Sequence, residues 1–144
     1  MPNQGIGSQM KDRDSSTRVT LAGGCHCGAV QFEIKTAPQI TVQACNCSMC
    51  QLTGYLHLIV PSRDFQLNTD PAMLTEYTFN TEQAKHRFCK QCGIKSFYVP
   101  RSNPNGYSVN LRCLDLTPAD SVSVEAFDGK NWEAHADRLT DLSR

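Results

Sequence analysis

The stretch Ala44-Cys45-Asn46-Cys47-Ser48-Met49-Cys50 packs three thiols into six residues, with the spacing C-x-C-x2-C. Cys25-His26-Cys27 precedes it and Cys89-Lys90-Gln91-Cys92 follows it, so seven of the eight cysteines fall in three clusters. Zinc binds thiolates tetrahedrally, and a C-x2-C turn aims two sulfurs at one ion from a tight loop. Gly93 follows Cys92 and Gly28 follows Cys27. A glycine there can take positive φ and leave a backbone N–H for a sulfur. Pairing Cys25 and Cys27 with Cys89 and Cys92 would give a closed four-sulfur site that pins segments about sixty residues apart. Closed sites stabilise and leave no room for substrate. Cys45, Cys47 and Cys50 would then hold a second zinc with one position open, the arrangement of catalytic sites.

Spacing alone leaves other divisions open. Four disulfides can be drawn from eight cysteines, although C-x-C spacing and a reducing compartment argue against them. Two purely structural zincs are a second alternative, with His26, His57, His86, His135 or Cys113 completing the second set. Among these His57 stands out, seven residues past Cys50 on a strand leaving the cluster, whereas Cys113 reads as a buried small hydrophobe.

Outward from the clusters, the chain reads as many short strands. Val30, Phe32 and Ile34 alternate with polar residues, and Ile40 and Val42 alternate toward Cys45. Further strands are expected over 55–60, 65–67, 74–79, 85–89, 94–99 and 107–111, with another through Val122 and Val124. Ser62-Arg63-Asp64 reads as one helical turn, Asp128-Gly129 as a turn, and 132–142 as a short helix or irregular segment. The expected fold is mainly β, built of small antiparallel sheets. Residues 1–17 are polar and aperiodic and read as a disordered lead, leaving 18–144 as one zinc-binding domain.

The 144 residues carry 14 Lys+Arg and 14 Asp+Glu. That balance offers no pull toward nucleic acid. No apolar run approaches the ~18–20 residues of a membrane helix. The N-terminus has no apolar signal core, so a cytoplasmic location is expected. Nothing in the sequence sets the oligomeric state.

The order C-x-C-G (Cys25 to Gly28), C-x-C-x2-C (Cys45 to Cys50), F-C-x2-C-G (Phe88 to Gly93) and C-L-D (Cys113-Leu114-Asp115) resembles the glutathione-dependent formaldehyde-activating enzyme family. The likeness spans roughly residues 19–135. Ser96-Phe97-Tyr98, the run from Pro100 to Pro104 and Tyr77-Thr78-Phe79-Asn80-Thr81 look closest to its centromere protein V branch. The resemblance implies an Mss4-like β-tent stapled by two zincs per chain. It also implies the ligand division above, with Cys25, Cys27, Cys89 and Cys92 structural and Cys45, Cys47 and Cys50 at the active zinc. The implied activity joins glutathione and formaldehyde, a carbon–sulfur lyase reaction.

Three thiolates leave such a zinc site with net charge −1, a weak Lewis acid that keeps a bound substrate thiolate nucleophilic. Thiol chemistry therefore fits better than hydrolysis by zinc hydroxide. Arg101, Lys95 and Arg112 are candidates to pair with the carboxylates of a glutathione-like thiol. His57 is a candidate to relay a proton or orient substrate, and Tyr55 and Tyr107 to line a pocket. The alternative is a non-catalytic, zinc-stapled module binding a protein or nucleic acid through Lys85, His86, Arg87, Lys90 and Lys95. A third reading is a redox or metal-buffering protein.

Overall fold

The computed structural model describes residues 17–143. The lead expected over residues 1–17 lies, apart from Thr17, outside the described residues. Among the described residues, ten strands form two sheets. β1 (Val19–Gly24), β2 (Gln31–Thr36) and β5 (Phe65–Leu67) make an antiparallel sheet in the order β1-β2-β5. The second sheet has seven strands. Its members are β3 (Gln39–Cys45), β4 (Leu56–Pro61), β6 (Leu74–Tyr77), β7 (Lys85–Cys89), β8 (Phe97–Val99), β9 (Gly106–Asn110) and β10 (Ser121–Phe127). Their order is β10-β3-β4-β9-β8-β7-β6. The mainly β expectation holds.

The main core lies between the sheets. Leu21, Phe32 and Ile34 of the small sheet meet Ile40, Val42, Leu58, Val60, Phe97 and Val109 of the large one. Phe32 stacks on Phe65 with ring centroids 5.2 Å apart and meets Phe97 edge-on at 5.5 Å. Because side chains alternate along a strand, the neighbours of these core residues point to the opposite face of the large sheet. Gln43, Cys45, His57, Ile59, Tyr98 and Ser108 belong to that second face. Part of it is covered by the chain end: α2 (Trp132–His135) and α3 (Asp137–Thr140) bring Trp132 and Leu139 over Ile59 and Phe127. Buried Asn103 fastens this cover, donating from Nδ2 to the Leu139 carbonyl at 2.9 Å and to Ser143 Oγ at 2.9 Å.

Two features depart from the sequence-based expectation. β10 runs parallel to β3, with Ser121 opposite Gln39 and Phe127 opposite Cys45, so the large sheet is mixed. Alternation gives a strand's face but not its partner or direction. Residues following Cys47 form a helix, α1 (Ser48–Thr53), where a plain turn was expected. Six residues are too few for a helical period to show in the sequence. Gly54 ends α1 at φ 65° with its N–H on the Cys50 carbonyl.

Candidate metal centres and the cavity beside them

The first centre joins the two sheets. Cys25 and Cys27 lie just beyond β1, Cys89 ends β7, and Cys92 lies in the turn that follows. Their four sulfurs lie within 4.8 Å of one another. Cys25 Sγ is 3.7 Å from Cys27 Sγ, which is 3.6 Å from Cys89 Sγ. A tetrahedron of thiolates ~2.3 Å from a central ion has edges of about 3.8 Å, whereas a disulfide needs ~2.05 Å. All eight cysteines are free, and this set fits a metal.

Backbone N–H groups converge on the sulfurs. Val30 N donates to Cys25 Sγ at 3.3 Å, and Gln91 N and Cys92 N to Cys89 Sγ at 3.4 and 3.5 Å. The N–H groups of Cys92 and Gln91 hold the Cys89 thiol below its ordinary range, and that of Ile94 lowers Cys92 to about 6. Gly28 and Gly93 take φ of 85° and 77° as expected. The Gly93 N–H, however, closes on the Cys89 carbonyl at 2.8 Å rather than on a sulfur.

The second centre is built from three kinds of backbone. Cys45 ends β3, Cys47 is the N-cap of α1, and Cys50 is buried in its first turn. The three sulfurs lie within 4.8 Å of one another, and no fourth Cys, His, Asp or Glu among the described residues joins the group. Neighbouring sulfurs and burial push the Cys50 thiol far up, while hydrogen bonds from Cys45 and Cys50 hold Cys47 far down. Three sulfurs this close share protons unless a cation neutralises them, so this set also fits a metal.

The loop after β10 braces the cluster. Lys130 N donates to Asn46 Oδ1 at 2.9 Å, and Asn46 Nδ2 to Asp128 Oδ1 at 3.0 Å. Gly129 packs directly on the thiols: a Cβ there would overlap Cys45 Sγ and lie 3.2 Å from Cys47 Cβ. Gly129→Ala is expected to displace Cys45 and weaken metal binding at this centre about tenfold or more, comparable with losing a ligand's support. Competition with a chelator, alongside an unchanged first centre, checks this.

The three sulfurs line a cavity of about 200 Å³ together with Gln43, His57, Tyr98, Arg101, Phe127 and Trp132. His57 Nε2 lies 2.9 Å from Cys50 Sγ, and Nδ1 lies 2.8 Å from Ser108 Oγ and 3.3 Å from Tyr98 OH. Burial, then the nearby Lys95 charge, lowers His57 to about 3, so the ring is neutral at pH 7. A metal on the cluster would make Cys50 a thiolate with no proton, and the neutral ring would then donate from Nε2 and accept at Nδ1 from Ser108 or Tyr98.

Arg101 also reaches the cavity wall. Its guanidinium stacks 3.5 Å over the Trp132 ring and is paired with Glu133. Tyr55 lies behind His57, with ring centroids 4.5 Å apart and its hydroxyl donating to the Ser108 carbonyl at 2.6 Å.

The remaining candidates lie elsewhere. Tyr107 stacks on Phe65 at 4.2 Å, in the seam between the sheets. Arg112 donates to the Gly54 carbonyl at 3.2 Å, and Cys113 lies outside both sulfur groups. His26 is exposed, and His135 Nε2 is 3.8 Å from Asp128 Oδ2. The cations around the second knuckle do not form one face. Lys85 donates to the Glu82 carbonyl, Arg87 pairs with Glu76, and His86 with Lys95 turns inward.

Sequence reasoning missed Gln43, Tyr98, Phe127, Gly129 and Trp132 on the cavity wall and Ser108 behind His57. They meet only because the sheet order and the chain-end cover bring them together.

Lys95 Nζ lies 4.0 Å above the Tyr98 ring and 2.7 Å from His86 Nδ1. Burial lowers its pKa from 10.5 to about 8, against the pull of Cys50 and Cys47. Between these values the unfolded chain binds the extra proton, so this residue makes stability rise with pH. Lys95→Met is expected to raise stability at pH 7 by about 2 kcal/mol and to narrow that gain by pH 10. Urea unfolding of both proteins at the two pH values checks it.

No helix among the described residues is long and apolar enough to cross a membrane. The model of a family described as glutathione-dependent formaldehyde-activating enzyme matches residues 20–129. The match is to the family as a whole and does not single out a branch. The crystal structure of a Rhodobacter sphaeroides protein superposes with a TM-score of 0.59 at 32% identity, covering 71% of this chain and 99% of that one.

Proposed function

The chain belongs to the glutathione-dependent formaldehyde-activating enzyme family, and from that premise we propose that it is a zinc-dependent carbon–sulfur lyase. It joins a small glutathione-like thiol to an aldehyde such as formaldehyde. Cys25, Cys27, Cys89 and Cys92 hold a structural zinc, and Cys45, Cys47 and Cys50 a second one, within one domain over residues 18–144 of a cytoplasmic protein. The observation that carries this reading is the three-sulfur group on the wall of a cavity, with no fourth protein ligand among the described residues.

Zinc held there would supply a vacant position that lowers a substrate thiol's pKa and keeps its sulfur nucleophilic. The protein's own groups set the stage for that chemistry. With zinc bound, His57 would donate to the Cys50 thiolate and orient it, its other nitrogen held by Ser108 and Tyr98. It acts through Cys50 and is a positioning residue. Ile59, Phe127, Leu139 and Trp132 pack around Cys45. Arg101, paired with Glu133, lines the cavity, where a thiol's carboxylate can compete for the guanidinium.

The test is the rate of S-hydroxymethyl adduct formation from glutathione and formaldehyde, followed by NMR with the zinc-loaded protein. Acceleration over the buffer reaction is expected. No acceleration with glutathione or any other thiol in a panel would remove the lyase reading.

A further inference from the structure

His86 of β7 stands opposite Tyr77 of β6 and Tyr98 of β8, on the face of the large sheet that carries the thiol cavity. Two rings stack on its imidazole, each at an interplanar angle of 19°: Tyr98 with centroids 4.8 Å apart and Phe79 at 5.3 Å. Lys95 Nζ takes one corner, 2.7 Å from Nδ1. With the ring faces stacked and Nδ1 filled, the edge that carries Nε2 is the part of His86 left to line the cavity.

An ammonium only donates, so Nδ1 accepts from Lys95 and the ring proton stands on Nε2. Burial and then the Lys95 charge lower His86 to about 4, so the ring is neutral at pH 7. Nε2 has no hydrogen-bond partner among the described residues. It is not walled in either: the buried side-chain atoms left without a partner there are Gln43 Oε1 and Ser96 Oγ. Lys95 lies over the Tyr98 and Tyr55 rings and has no carboxylate partner among the described residues. A half-buried cation that lowers stability, as argued above, and whose one hydrogen bond fixes a neighbour's tautomer is the kind of local cost that functional sites carry.

We propose that His86 is a catalytic residue whose Nε2–H donates a hydrogen bond to the aldehyde oxygen while a thiol's sulfur attacks the carbonyl carbon. This rests on the thiol–aldehyde reading above and deepens it. As the sulfur–carbon bond forms, the carbonyl π pair moves onto oxygen. That oxygen then takes a proton from water, which balances the proton the thiol released to solvent. His86 keeps its own proton throughout. A fixed donor aimed where negative charge develops favours the transition state over the ground state. Cys47 and His86 line the same cavity, and the Cys47 charge acts on the ring. His57 is not available for this task, because Nε2 faces Cys50 and Nδ1 faces Ser108 and Tyr98.

The test is calorimetric titration of the zinc-loaded protein with thioacetate and with 2-propanethiol, which carry an oxygen and a methyl group respectively on the carbon bonded to sulfur. The preference for thioacetate, taken as the ratio of the two dissociation constants, is expected to fall about tenfold in His86→Phe, which keeps an aromatic ring in the stack and removes the donor. In His86→Gln, whose amide N–H stands in for Nε2–H, the ratio should stay within about threefold of wild type. Adduct formation from glutathione and formaldehyde should slow about 100-fold in His86→Phe. If His86→Phe does not fold, His86→Met decides. A binding ratio within twofold of wild type, or an adduct rate within threefold, in a folded, zinc-loaded variant without the donor overturns the assignment of His86 alone. A loss in His86→Gln as large as in His86→Phe would assign the ring to packing and overturn it as well, as would failure of both donor-free variants to fold. Zinc-loaded wild type that binds neither thiol would instead remove the thiol reading, and this inference with it.

Discussion

Cys89→Ser is expected to abolish the cooperative thermal transition of the protein and to release the zinc of the first centre. Cys89 is the most deeply buried of the four sulfurs and sits within the main hydrophobic cluster. Its Sγ accepts two backbone N–H groups that shape the turn through Gln91 and Cys92. A serine hydroxyl is not deprotonated at neutral pH and cannot replace a thiolate ligand. Structural zinc sites contribute about 10–16 kcal/mol of apparent binding free energy, while a whole domain is stable by only about 5–15 kcal/mol. Losing one of four thiolates therefore removes a share comparable with the entire margin. The loss is also placed badly, because this centre ties the end of β1 to the end of β7 across the two sheets. Differential scanning calorimetry with metal analysis checks it. A sharp transition within about 5 °C of wild type, corresponding to roughly 1 kcal/mol at this size, would show that hydrophobic burial alone holds the sheets.

The thiol clusters were legible because their spacing is local chemistry: each C-x-C or C-x2-C pair fixes its own geometry wherever the fold carries it. Which pairs meet was not, because spacing leaves the division open; the ends of β1 and β7 bring Cys25, Cys27, Cys89 and Cys92 within 4.8 Å of one another. Alternation along β2 and β3 likewise marked which side chains enter the core. Other features required knowledge of partners. Gly129 reads as half of a turn, yet its lack of a Cβ matters because a parallel strand delivers it onto Cys45. Gln43 reads as an outward polar residue, as Thr41 is, until Trp132 and Leu139 cover that end of the sheet. Tyr98 and Ser108 reach His57 only through the order β4-β9-β8. Helix α1 was hidden by its length and by a cysteine at the N-cap, where Ser, Thr, Asp or Asn is the usual signal. Arg101 was expected to wait for a carboxylate and does reach the cavity. Glu133, far along the chain, already occupies it.

Cys47→Ser is expected to do the opposite of Cys89→Ser: to keep the fold and lose the chemistry. Cys47 is the N-cap of α1, and its Sγ accepts from Cys50 N at 3.5 Å. Serine is among the best N-cap residues, so the helix start is preserved or improved. The core between the sheets is untouched, because this cluster sits on the other face of the large sheet. What disappears is one of three thiolates in a group with no fourth protein ligand to compensate. Zinc content should fall from about two per chain to about one, with the thermal transition shifted by no more than a few degrees. Thiol binding should be lost, and adduct formation should drop at least 100-fold, toward the rate in buffer, because positioning and activation of the substrate sulfur vanish together. The paired outcomes separate the two centres. If both substitutions cost one zinc but only Cys89→Ser costs the fold, one ion is structural and the other functional. If wild type holds one zinc and Cys47→Ser leaves it unchanged, the three-thiol group is not a metal site. The chain is then better explained as a zinc-stapled binding domain than as an enzyme.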